Sequence, residues 1–271
     1  MSRKILLACT LLVMAISIAE AAETSKLTAD QIVDKNVSAR GGLRAWREVQ
    51  ALSMTGKMDA GGNNRPTIPV PGTKTGPGMP APRSSEQVQL PFVMELKRPR
   101  KTRLEIQFHG QTAIQVYDGS NGWKLRPFLN RREVEPFTPE EKKVASLQAD
   151  LDGPLVDYAA KGTKVESEGI EKVEGKDTYK LKLTMKDGQV QHVWVDAQTF
   201  LETKIEGALR RLDGKYHPTA IYYRDYRLVN GLMVPHVLET TVEGIRQTEK
   251  IEIEKVAVNP KLDDSRFAKL P

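Results

Sequence analysis

The sequence predicts a mainly β protein of the α+β type, one large curved antiparallel sheet of eleven or twelve strands packed against a few helices. Three observations lead there. Apolar residues alternate with polar ones through most of the chain, as in Val88, Leu90, Phe92, Met94 and Leu96 or in Leu104, Ile106 and Phe108. Tight-turn pairs such as Asp118-Gly119, Asn121-Gly122 and Asn230-Gly231 stand between those runs. Helical signals are confined to two short regions, and no strand–helix alternation occurs that would call for a parallel sheet.

The chain begins with Arg3 and Lys4, an apolar run from Ile5 to Ile18, and then Ala19-Glu20-Ala21. A basic start, an apolar stretch too short to span a bilayer and a small-x-small site come in the order of a cleavable secretory signal. Residues 1–21 are therefore expected to be removed and residues 22–271 to form a single exported domain. Cys9, the one cysteine of the chain, lies in that signal. The mature protein is then expected to have neither a disulfide nor a thiolate metal site. No later segment is apolar enough to cross a membrane as a helix, so the mature chain is not expected to span one.

Thr28 is placed to cap a helix carrying Ile32, Val33 and Val37, and Gly41-Gly42 separates it from a short turn with Trp46. A first strand follows at 51–58, with Leu52, Met54 and Met58 on one side. Residues 60–85 are dense in proline and glycine, a composition that excludes a central strand and predicts a mobile loop. The strands of 86–125 form a meander with one apolar face. Thr138 and Pro139 open a second helical region, expected to resume over 151–160 after a break at Gly153-Pro154. Seven further strands are expected at 164–173, 179–186, 190–196, 201–207, 216–229, 232–243 and 245–258.

The composition narrows function mostly by exclusion. The net charge is +6, but acidic residues are interspersed with basic ones and aromatics make up 6% of the chain, which argues against nucleic-acid binding. His109, His192, His217 and His236 make no short pair that would place two imidazoles on one metal. Asp196, Asp225 and Glu239 could meet across a sheet, but their spacing does not require it. No nucleophile elbow, phosphate loop or dinucleotide fingerprint occurs, so no catalytic residue, metal or cofactor is expected. What the pattern does supply is a broad apolar sheet face with few helices to cover it. That leaves open an ordinary core or a partly filled groove for an acyl chain.

Lys97-Arg98-Pro99, then Tyr117-Asp118-Gly119, Trp123 and Pro127-Phe128, follow one another in an order and spacing that resemble the periplasmic lipoprotein carriers of the Lol system. The ending Asp263-Asp264-Ser265-Arg266-Phe267 is similar to that family's D-x-S-x-F close. The likeness is strongest over about 86–130 and loose between 150 and 250, and the 60–85 insertion departs from it, so it marks a divergent member. The resemblance implies an open, unclosed β-barrel with helices as a lid. It further implies a non-catalytic periplasmic carrier that binds acyl chains of lipoproteins or lipids, taking them from an inner-membrane donor to an outer-membrane acceptor. The acyl chains are expected against Leu90, Phe92, Met94, Leu104, Ile106, Phe108, Ile114 and Val116, chosen for shared strand parity. A periplasmic lipid-sensing or regulatory module is the alternative on the same scaffold, and an enzyme a remoter one.

Overall fold

Thr28 and Thr138 begin the two principal helices in the same way. Each hydroxyl accepts from the backbone N–H three residues on, while the Gln31 or Glu141 side chain accepts from the threonine's own N–H. These reciprocal capping boxes satisfy donors that a helix start otherwise leaves bare. In the computed structural model, which describes residues 27–61, 87–127, 131–212 and 214–271, they open α1 (Ala29–Ala39) and α3 (Pro139–Gln148). The short α2 (Leu43–Glu48) lies between α1 and the first strand. The signal segment, nearly all of the proline-rich loop and Phe128 fall outside the described residues.

Thirteen strands form one antiparallel sheet among the described residues. The first half is a meander: β1 (Ala51–Gly61), β2 (Gln87–Lys97), β3 (Lys101–Phe108), β4 (Gln111–Tyr117), β5 (Gly122–Arg126) and β6 (Arg131–Pro136). The second half comprises β7 (Lys164–Val173), β8 (Lys176–Thr184), β9 (Val190–Asp196), β10 (Glu202–Glu206), β13 (Thr219–Val229), β14 (Leu232–Val242) and β15 (Glu249–Val258). Pairing of β1 with β15 joins the halves, leaving β6 and β7 as the two edges of a sheet that does not close. A separate two-stranded ribbon, β11 (Arg210–Leu212) and β12 (Lys215–His217), leaves the sheet between β10 and β13.

Register sorts the side chains onto two faces, because residues paired across an antiparallel ladder point the same way. The inner face carries Leu52, Met54, Leu96, Leu181, Leu183, Val193, Val195, Ile205, Leu232 and Val234, which join one apolar cluster with Ile32, Val33 and Val37 of α1, Trp46 of α2, and Leu151, Leu155 and Val156. The connection 137–163 runs from one sheet edge to the other, so it supplies those last three residues from within the curve of the sheet. Gly56 sits where β15 bulges at Glu254, and a Cβ there would collide with the Glu252 carbonyl. Asn230 and Gly231 both adopt positive φ, 49° and 82°, as the two-residue turn between β13 and β14 requires.

Three expectations for the elements need correction. Residues 151–160 are turns, not a helix: Gly153 and Asp157 take positive φ, and Pro154 offers no N–H. The single strand expected at 216–229 is split into β12 and β13 by Pro218, which has no donor for the ladder. The short strands β6 and β11 were not expected, since Arg131–Pro136 and Arg210–Leu212 carry too few apolar residues to show a period of two.

Candidate functional site

The apolar cluster occupies only one end of the inner face. At the other end, β1, β2, β3, β14 and β15 present Met58, Leu90, Phe92, Leu104, Ile106, Phe108, Leu238 and Ile251, none of which belongs to that cluster. Phe92 is buried, with Gly56 and Ile106 as its cross-strand neighbours, while the other seven are half-buried. These side chains form an apolar strip about five strands wide, continuous with the core but not sealed by it.

Six of the eight residues expected to contact acyl chains share this inner face: Leu90, Phe92, Met94, Leu104, Ile106 and Phe108. Met94 is nearest the core and packs on its margin. Ile114 and Val116 do not join them. Register sets Ile114 opposite Glu105 and Val116 opposite Arg103, both on the outer face. The cause is the turn at His109-Gly110, across which Phe108 pairs with Gln111, so even-numbered residues of β3 face the same way as odd-numbered residues of β4. The inner residues of β4 are Ala113, Gln115 and Tyr117, and α3 covers Tyr117 with Ala145 and Ala149.

Ile114 and Val116 instead meet the C-terminal tail on the outer face. Val116, Phe267 and Leu270 are buried together there, with Trp123, Leu125 and Leu262 around them. Arg266 reaches Glu95 at 2.7 Å, and Asp264 lies 2.9 Å from Lys97 and 3.0 Å from Lys101. Each partner stabilises the other's charge, so Arg266 titrates higher and Asp264 lower than usual. A cleft of about 390 Å³, lined by Arg103, Ile114, Leu125 and tail residues 265, 266 and 268–271, opens beneath the tail on this outer side.

The helical end of the inner face is tied down by a polar network that the sequence pattern did not reveal. Arg40, which ends α1, lies 3.1 Å from Glu202 with both side chains almost fully buried. The same guanidinium donates to the Asp152 carbonyl at 2.8 Å and lies over the Trp46 ring, 4.4 Å from its centre. Tyr226 donates to Glu202, and burial with the Glu202 charge pushes its phenol well above its ordinary value. Arg98 donates to the carbonyls of Val49 and Trp46 and to Asp152 at 2.6 Å. Thus the two basic residues of the Lys97-Arg98-Pro99 triplet divide their work, Lys97 holding the tail outside and Arg98 the helices inside.

Lys161 completes the network, donating to Asp150, Asp152 and the Gly153 carbonyl at 2.8, 2.7 and 2.6 Å. Burial raises Asp150 to about 6 against the pull of Lys161. Burial also opposes ionisation of Asp152, but hydrogen bonding with Asp150, the Lys161 charge and Arg98 together hold it down to about 2. The fold therefore prefers Asp150 protonated, a contribution complete below the unfolded value of 3.8 and lost as pH rises through about 6. It prefers Asp152 ionised, a contribution present above 3.8 and lost as pH falls through about 2. Melting temperature should accordingly rise as pH is lowered from neutral through about 6, and Asp150→Asn should flatten that limb. A variant that follows the parent's melting curve over that whole range would refute this assignment.

The carboxylates that could have met for acid–base work each have separate partners. Asp196 accepts from the N–H groups of Gln198 and Thr199, Asp225 pairs with Arg227, and Glu239 pairs with Arg224. His192 contacts Glu206 at 2.8 Å, and His236 lies buried beside the Val234 carbonyl. Among the described residues, no group of three or more His, Cys, Asp or Glu side chains is placed to hold a metal ion. No described helix is long and apolar enough to cross a membrane.

An unclosed antiparallel sheet, curved around helices at one end and an apolar strip at the other, defines an open half-barrel fold. Its solved counterparts are LolA-like. A LolA superfamily protein from Nitrosomonas europaea superposes with a TM-score of 0.54 at 14% identity, covering 90% of this chain and 98% of that one. A putative outer membrane lipoprotein-sorting protein domain from Vibrio parahaemolyticus gives 0.54 at 12% identity, over 88% and 95%. A DUF1329 family protein from Desulfovibrio piger also gives 0.54, at 15% identity over 89% and 97%. No protein-family model and no curated protein sequence matches the chain. The chain thus has the LolA-like fold with a highly divergent sequence.

Proposed function

We propose that this protein is a non-catalytic periplasmic carrier whose inner-face strip binds acyl chains of lipoproteins or lipids on their way between an inner-membrane donor and an outer-membrane acceptor. The observation that carries the reading is the strip itself. Seven half-buried apolar side chains and Phe92 line one continuous surface outside the core cluster. Left to water, such a surface is costly at about 25 cal/mol per Å², and an alkyl chain laid along it removes that cost without any directional bond. The lipoprotein-sorting description of one structural counterpart supports the same substrate class. The expected signal segment accounts for the compartment.

Native mass spectrometry on protein taken from a gently prepared periplasmic fraction tests this directly. The mature chain should begin near Ala22 and carry a releasable acylated ligand. A ligand-free chain, or one bound to a protein that contributes no acyl group, would overturn the carrier reading; the second result would favour a regulatory module.

A further inference from the structure

The β11–β12 ribbon has two unlike faces. On one, Leu212 is buried, Arg210 makes a bidentate pair with Glu249 at 2.5 and 2.8 Å, and His217 contacts the Glu243 carbonyl. That face anchors the ribbon to the end of the sheet. Alternation places Arg211 and its direct cross-strand partner Tyr216 on the other, and Leu209 immediately precedes β11. Leu209 and Tyr216 are 61% and 60% exposed and Arg211 is exposed with them, while Lys215, the partner of Leu212, is exposed next to the turn of the ribbon. Through His217 and Glu243 the ribbon adjoins the β14–β15 loop, where Ile245 and Arg246 are also exposed.

This edge is also the open end of the apolar strip. Gln87, at the start of β2, donates to the Thr248 carbonyl, and the Lys250 N–H donates to Asp59 in β1. Val88, 41% exposed, extends the apolar character from Leu90 to this rim. Arg211, Lys215 and Arg246 make no ion pair among the described residues, where Glu243 is the exposed carboxylate beside them; in the sequence Asp213 stands between Leu212 and Lys215.

We propose that this rim docks on the surface of a bilayer rich in anionic phospholipid, with Leu209, Tyr216 and Ile245 entering the interface and Arg211, Lys215 and Arg246 meeting the headgroups. A flat protein interface would be expected to gather its apolar residues into one central patch. Here single apolar residues alternate with free cations along a protruding ribbon and loop, the arrangement of interfacial anchors, in which tyrosine and the long basic side chains sit at headgroup level. The position rests on the carrier reading in one respect: it would set the open end of the strip against the membrane that holds the acyl chains.

The test is co-sedimentation of the mature protein with vesicles of equal parts phosphatidylglycerol and phosphatidylcholine, and with phosphatidylcholine alone. Wild type should bind the anionic vesicles and lose that binding in high salt. With each surface cation worth about fivefold, Arg211→Glu/Lys215→Glu/Arg246→Glu should lower partitioning by roughly a hundredfold. Leu209→Ser/Tyr216→Ser should weaken it independently of salt. Displacement of a fluorescent fatty acid and the melting temperature, measured on the same samples, should be unchanged in both variants. Wild type that stays in the supernatant, or variants that sediment as wild type does, would overturn the docking proposal. So would a rim whose substitution abolishes cross-linking to an envelope protein while vesicle binding persists. Failure of fatty-acid binding in every sample alongside variant-sensitive sedimentation would remove the carrier reading and leave the docking surface standing.

Discussion

Arg40→Met should lower the stability of this protein by about 3–5 kcal/mol, because it breaks a buried ion pair from one side only. Glu202 would be left in the interior with the Tyr226 hydroxyl at 3.2 Å as its remaining side-chain partner. The Asp152 carbonyl and the Trp46 ring would lose the guanidinium as well. The double variant Arg40→Met/Glu202→Met should recover much of the loss, since apolar side chains of similar volume require no compensating charge. Chemical denaturation of the two singles and the double closes the cycle. A single-variant loss below about 1 kcal/mol would mean that water reaches the pair, as in surface bridges. The helices would then be held chiefly by their apolar contacts.

That network shows where sequence reasoning runs out. Arg40, Glu202 and Asp152 are far apart in the chain, and nothing in their neighbourhoods distinguishes them from other charged residues. Their burial results from three separate segments converging inside the curve of the sheet. The curved antiparallel sheet, by contrast, was legible in most of its strands, because each exposed–buried alternation is local, and it was missed at β6, where apolar residues are too few to show one. The resemblance motifs were legible for a similar reason. In the structure, Lys97, Arg98, Trp123 and Phe267 all attach the sheet to the tail or to the helices. They specify the scaffold and touch the apolar strip nowhere in the described contacts.

The apolar strip proposed for acyl chains was partly legible. Parity carried correctly from β2 to β3, where Phe92 pairs with Ile106, but failed at the next hairpin. Whether parity is kept or inverted across a hairpin depends on the number of residues in the turn, and His109-Gly110 inverts it. Met58, Leu238 and Ile251 were not expected on the strip although their strands were recognised. The pairing of β1 with β15 joins the two ends of the domain, and that long-range step has no local sequence signal.

Ile106→Asp should abolish acyl-chain binding while leaving a folded protein. The residue is half-buried on the strip, outside the core cluster, so a carboxylate there can keep much of its hydration when no ligand is bound. An alkyl chain laid over it would strip that water away. With the lost apolar contact added, a fluorescent fatty acid should stay unbound even at about ten times the protein concentration that saturates it with wild type. Two substitutions elsewhere give the contrast. Leu96→Ala lies in the core cluster and Val116→Ala in the cluster beneath the tail. The leucine change should cost roughly 2–5 kcal/mol and the smaller valine change less, each by leaving a void, and both should bind the probe as wild type does. The decisive comparison is between Ile106 and Val116, which the register puts on opposite faces of neighbouring strands. Equal loss of probe binding at both positions would place the acyl chain somewhere other than the inner strip. Full core destabilisation at Ile106, with no probe binding even by wild type, would show the strip to be ordinary interior.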